Sequence, residues 1–134
     1  MTERSSQRGS GPSGSSRKDY PDRSVLGGEV GIWSSNLNSM AAPQAREAAA
    51  EIEELGYAAV WFGEVLGREA FTNASMLLSA TSRIVVATGI ANIFVRDAWA
   101  ANAAAKTLAE AYPERFVLGL GVSHRPLVEM RGHD

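Results

Sequence analysis

Four short apolar runs, separated by three stretches of helical periodicity, organise the chain from about residue 29 onward. Val30-Gly31-Ile32-Trp33, bounded by Gly and Ser, reads as a buried strand. Pro43 suits the first residue of a helix. Beyond it Ala45, Ala48, Ala49, Ile52 and Leu55 recur at helical spacing, with Arg46, Glu47, Glu51 and Glu54 largely around the other side. Gly56 fits the left-handed residue that ends such a helix, and Ala58-Ala59-Val60-Trp61-Phe62 follows at once as a second buried strand. The cycle then repeats. Thr72 is placed to cap a helix through about Ala80, with Met76, Leu77 and Ala80 inward. Arg83 to Thr88 is a β-branched strand. Asp97 caps a third helix with Ala100, Ala103, Ala104, Leu108 and Ala111 inward and Pro113 beyond its end, and Phe116 to Leu120 is the fourth strand.

Strands apolar on both faces, alternating with helices, imply an α/β fold with a parallel sheet covered by helices. Periodicity alone permits two closures: a doubly wound open sheet, or a parallel (β/α) barrel of the TIM-barrel type, of which about the first four strands are present. Residues 1–26 are Ser, Gly, Arg, Asp and Pro with almost nothing to bury, so a disordered tail is predicted there and residues 27–134 form the folded unit.

Composition narrows the function classes. The chain is 45% hydrophobic and 21% charged, as soluble globular proteins are. Its net charge of −2 provides no broad basic field, which argues against nucleic acid as a partner. No apolar run is long enough to span a bilayer, so no membrane partner is expected and a cytoplasmic location is the default. There is no cysteine, and no His, Asp and Glu set has metal-ligand spacing, so no metal is expected. Eleven Arg against only Lys18 and Lys106, with abundant Ala and Gly, fit a GC-rich bacterial genome.

The polar residues at the strand ends are the candidates for chemistry, because reactive groups of a (β/α) barrel gather at the C-terminal ends of its strands. Those ends are Trp33-Ser34, Gly63-Glu64, Gly89 to Asn92 and Gly121 to His124. A carboxylate such as Glu64 at the end of a buried strand is costly unless it is solvated, paired or used. The His124 imidazole suits general acid–base work near neutral pH, or is a solvated loop residue. Asn92 either hydrogen-bonds a ligand or stops its strand. Gly119-Leu120-Gly121 lacks the third glycine of a dinucleotide fingerprint. Trp33, Trp61 and Trp99 read as core residues.

Four segments, in order and at matching spacing, carry a resemblance. They are Val30-Gly31-Ile32-Trp33-Ser34, Ala59-Val60-Trp61-Phe62-Gly63-Glu64, Val86-Ala87-Thr88-Gly89-Ile90-Ala91-Asn92-Ile93, and Glu114-Arg115-Phe116-Val117-Leu118-Gly119-Leu120-Gly121-Val122-Ser123-His124. Together they resemble the luciferase-like monooxygenase family, in particular its F420-dependent actinobacterial members. The resemblance implies the barrel, and specifically its N-terminal half, ending in the loop after the fourth strand and without the later phosphate-binding loops. It implies coenzyme F420 as cofactor, with FMN and oxygen as the alternative, and an oxidoreductase that transfers a hydride to or from a small-molecule substrate. A bulge with a non-prolyl cis peptide is implied at Gly89-Ile90, whose backbone would prop the ring together with Ala91 and Asn92. Glu64 would lie beside the deazaflavin. Several relatives follow that acid with a histidine; here Val65 stands in its place, which makes His124 the substitute catalytic group beside Glu64. A partial form of a full enzyme is therefore expected. The alternative is a non-catalytic half-barrel remnant or interaction module, and two copies could close into a homodimeric eight-stranded barrel.

Overall fold

The computed structural model describes residues 30–133, so the tail expected over residues 1–26 lies outside the described residues. The chain runs through β1 (Gly31–Trp33), a 3-10 turn (Asn36–Asn38), α1 (Ala42–Glu54), β2 (Ala59–Phe62), α2 (Ala70–Leu78), β3 (Val85–Thr88), β4 (Ala91–Asn92), α3 (Ala98–Ala111), β5 (Phe116–Val117), β6 (Leu120–Gly121) and α4 (Arg125–Met130). Strands β1, β2, β3 and β5 lie side by side in that order, and β4 pairs with β6; every pair is parallel. Parallel neighbours need crossover helices, which α1, α2 and α3 supply.

Strand alternation sorts the sheet into two faces. Val60, Phe62 and Val86 face the helices and pack with Ala45 and Ala49 of α1, Phe71, Ala74, Leu77 and Leu78 of α2, and Leu108 of α3. Each fully buried Leu or Phe contributes about 1.5–3 kcal/mol. On the opposite face Trp33, Trp61, Ala87 and Val117 stand in direct register across four strands.

The end of the sheet where the strands begin is held by two charged residues. The Glu53 carboxylate accepts from the N–H groups of Ser82 (3.0 Å), Arg83 (2.6 Å) and Ile84 (2.7 Å) and from the Ser82 hydroxyl (2.9 Å). Burial pushes this carboxyl up, but the N–H groups of Ile84, Arg83 and Ser82 and the Ser82 hydroxyl outweigh it and hold it down at about 2. The Arg115 guanidinium donates to the carbonyls of Thr81 (3.1 Å) and Ile84 (3.2 Å) and to the Thr81 hydroxyl (2.7 Å), satisfying acceptors left over past the end of α2.

Several local expectations change. Strand β1 is not buried: it lies at the sheet edge with one neighbour, and Trp33 is 58% exposed. Trp99 is exposed too, so of the three indoles assigned to the core only Trp61 is half-buried. Leu55 falls at the C-cap of α1 and is exposed. Helix α2 is capped by Glu69 rather than Thr72; its carboxylate accepts from the N–H groups of Phe71 and Thr72, so the helix starts at Ala70. Asp97 does cap α3. The inward face of that helix is Ala101, Ala104, Ala105 and Leu108, while Ala100, Ala103 and Ala111 are exposed. Alanines on all sides leave the phase of the helix open, and Leu108 sets it. Gly56 is left-handed as expected, at φ 87°. The chain does not remain in a loop after the fourth strand but forms α4, with Pro126 in its first turn and an Arg125–Glu129 pair at 2.6 Å along its side.

Candidate functional site

Past Thr88 the chain leaves β3 and resumes as β4, and the fourth apolar run breaks in two. The register Ala87↔Val117 gives way to Ala91↔Leu120, so four steps along one strand face three along the other, which is a β-bulge. The peptide bond Gly89–Ile90 within it is cis. Opposite the bulge the Thr88 hydroxyl replaces the missing ladder bonds: it donates to the Gly119 carbonyl and accepts from the Gly119 N–H, both at 2.9 Å. Gly119 is required there, since a Cβ would stand 2.3 Å from the Thr88 carbonyl oxygen.

The bulge forms a ledge at the C-terminal ends of β1, β2 and β3. The Gly89 N–H donates to the Phe62 carbonyl at 2.7 Å, and the Glu64 N–H donates to the Ile90 carbonyl at 2.9 Å. The Trp33 indole N–H donates to the Gly89 carbonyl at 3.2 Å. At Gly63 and Gly89 the ledge carries no side chain: a Cβ on Gly63 would meet the Gly89 oxygen at 3.3 Å, and one on Gly89 would lie 3.4–3.5 Å from the Trp61 and Trp33 indoles. A hollow of about 320 Å³ opens beside Trp33, Gly63 and Val65. A second, of about 530 Å³, lies past β4 and β6 among Phe94, Val122, Ser123 and Val128.

The structure places the expected residues unequally. Glu64 is 5% exposed; its carboxylate accepts from the N–H groups of Ala70 (3.0 Å) and Asn92 (2.8 Å) and is forked by the Arg96 guanidinium. Ile90 is half-buried against Gly121, and Ala91 is buried within the core. Asn92 is buried, and its side-chain oxygen accepts from the Phe94 N–H at 2.9 Å, a local turn that ends the strand. His124 is exposed at the N-cap of α4 and stands apart from this network. Its helix reaches the end of β2 through Arg131, whose guanidinium donates to the Val65 carbonyl at 3.3 Å. The His133 ring packs on Phe94 at 5.1 Å between ring centroids.

Two residues of the site were not anticipated. Arg96 also donates to Glu69 (2.8 Å) and to the Asn92 carbonyl (3.1 Å), and lies 5.1 Å above the Phe71 ring. Burial opposes its charge, but Glu64 and then Glu69 more than offset this and raise its pKa. Glu69 is pushed up by burial and down, more strongly, by the N–H and hydroxyl of Thr72, the Phe71 N–H and Arg96. The signal in the sequence was the cost of burying Glu64, which demanded a cation. Asn38, buried, donates to the Gly63 carbonyl at 2.9 Å and accepts from the Arg68 N–H at 3.1 Å, tying the loop after β1 to the loop after β2.

A family model described as luciferase-like monooxygenase matches residues 25–134. The chain belongs to the luciferase-like monooxygenase family. A Mycobacterium tuberculosis protein named as a coenzyme F420-dependent oxidoreductase is 32% identical over 104 residues, which are 78% of this chain and 29% of that protein. A solved F420-dependent secondary alcohol dehydrogenase, in complex with an F420-acetone adduct, matches with a TM-score of 0.60 at 24% identity, over 69% of this chain and 31% of that one. At that identity the likeness is one of fold. The luciferase-like chain thus spans less than a third of the length of these relatives. Its parallel four-stranded sheet with alternating helices is the α/β barrel-type architecture expected, present in part. No helix among the described residues is long and apolar enough to cross a membrane.

Proposed function

We propose that this chain forms the cofactor-facing wall of a coenzyme F420-dependent oxidoreductase acting on a small molecule, with FMN as the alternative cofactor. The observation that carries this reading is the ledge: backbone bare of side chains at Gly63 and Gly89, flanked by the indoles of Trp33 and Trp61. A planar ring system fits such a surface, because glycine permits close approach and the indoles offer apolar walls. The family and its F420-dependent relatives favour the deazaflavin. Coenzyme F420 supplies hydride transfer when bound; the protein supplies position and surroundings.

In this reading the backbone of Gly89, Ile90 and Ala91 props the ring, and Glu64 and Asn92 hold that backbone from behind. The exposed His124 is the group that exchanges a proton with the substrate, at its imidazole. The hollow beside Trp33 and the one beside Ser123 are the candidate volumes for substrate. Adding F420, and FMN in parallel, to the ¹⁵N-labelled chain tests the reading. Selective displacement of the Trp33 indole and of the Gly63 and Gly89 amide resonances by F420 is expected. Saturation in the micromolar range is not, because these residues offer only ring-side contacts. Cofactor-induced shifts that avoid all three positions would remove the ledge from the site.

The competing reading is an interaction module without catalysis. It is favoured by the apolar face that carries the exposed Trp33. Unchanged resonances with F420 and FMN, together with a mass in solution above that of a monomer, would favour it.

A further inference from the structure

A carboxylate offers about four lone-pair directions to donors, and at Glu64 all are taken. One oxygen accepts from the Ala70 N–H and from Arg96 Nη2; the other accepts from the Asn92 N–H and from Arg96 Nη1, both at 2.8 Å. The side chains of Arg96 and Glu64 are 9% and 4% exposed. Glu64 therefore has no unused acceptor direction with which to touch a ligand. Its bonds join three separate pieces of chain: the end of β2, the first turn of α2 and strand β4.

An ion pair this deeply buried adds little net stability, because desolvation offsets the attraction between the charges. What the Arg96 fork fixes is geometry. The same guanidinium clips the Asn92 carbonyl and the Glu69 carboxylate that caps α2. From Glu64 the constraint passes to the ledge on both sides of the bulge, through the Asn92 N–H and through the Glu64 N–H on the Ile90 carbonyl. One residue further back, the Gly89 carbonyl holds the Trp33 indole.

We propose that Arg96 is the positioning residue of the ledge, setting the place of Gly89 to Asn92 through Glu64 and without touching the ligand itself. The inference rests on the reading above only in taking the ledge to be ring-facing. A lysine retains the charge but not the planar fork, so it cannot bridge both oxygens of Glu64 together with the Asn92 carbonyl and Glu69.

The Trp33 indole N–H gives the test a reporter that needs no cofactor. Spectra of the ¹⁵N-labelled chain are compared with those of Arg96→Lys, Arg96→Gln, Glu64→Asp, Glu69→Gln and Glu53→Gln. Displaced Trp33 indole and Gly89 to Asn92 amide resonances are expected in the first three, with no rescue by lysine. Glu69→Gln removes only the half-exposed partner, and the ledge resonances should stay near their original positions. Glu53→Gln lowers the melting temperature from the opposite end of the sheet and should not move them, which separates positioning from plain stability. Should Arg96→Gln fail to fold, Arg96→Lys and Glu64→Asp decide, since both keep the charge pair. Folded Arg96→Lys and Glu64→Asp chains with unmoved ledge resonances would overturn the proposal. Displacement in these variants, with no response of the original chain to F420, would leave the positioning role standing and sink the cofactor reading.

Discussion

The indole N–H of Trp33 and the carbonyl of Gly89, 56 positions apart in sequence, meet at 3.2 Å at the mouth of the sheet. This bond links the edge strand β1 to the bulge after β3, across the end of β2. Trp33→Phe keeps an aromatic ring on the same face and removes only the donor. Because the bond is exposed, a stability loss of about 0.5–1 kcal/mol is expected. The Gly89 amide environment should change more than the melting temperature does. Amide exchange that stays the same at Gly89 to Ala91 would mean the indole does not help hold the ledge.

Acid should loosen the far end of the sheet as the Glu53 carboxylate takes up its proton. The carboxyl of Glu53 is held at about 2 in the folded chain against an ordinary 4.5. A depressed carboxyl contributes stability that is fully present above about pH 4.5 and is lost as pH falls from there toward 2. Glu53 is only half-buried, so the loss is moderated by solvent. Glu53→Gln should lower stability at pH 7 by roughly 1 kcal/mol, or about 5 °C in melting temperature, and flatten the decline between pH 4.5 and 2. Thermal melts of both chains across that window check this. Parallel curves would show that Glu53 carries no part of the acid response.

The bulge depends on a close approach of two backbones. Gly119→Ala would put a methyl 2.3 Å from the Thr88 oxygen, so the strands must separate. A cost of about 1–3 kcal/mol is expected. Thr88→Val preserves shape but leaves the Gly119 N–H without its acceptor, at a similar cost of about 1–3 kcal/mol. Urea midpoints measure both. An unchanged midpoint in either variant would mean that this crossing has more slack than its distances show.

His124 is exposed and makes no side-chain cap, so His124→Ala should leave the melting temperature within about 0.5 kcal/mol of the original chain. In a complete barrel built on this sequence, the same change should slow F420-dependent turnover by about 100-fold. Equal turnover at all pH values would return His124 to the solvated surface.

Much of this architecture is decided within a few residues of sequence. The β-branched run from Val85 to Thr88 forms a fully buried strand, Asp97 caps the N–H of Ala100, and Gly56 takes the left-handed turn its lack of a side chain permits. The bulge at Gly89-Ile90 was legible only through the family resemblance of the segment around it, not from the local chemistry of its residues. What the sequence did not determine is which distant groups meet. Arg68 lies four positions from Glu64 yet bonds to the Leu37 carbonyl, while Arg96, 32 positions away, forks the carboxylate. The exposure of Trp33 likewise follows from the place of β1 at the sheet edge, not from its own apolar character. Local chemistry acts through the backbone torsions and hydrogen bonds of a few adjacent residues. Partner choice and burial depend on which segments the assembled sheet brings side by side, and that order exists only once the strands have paired.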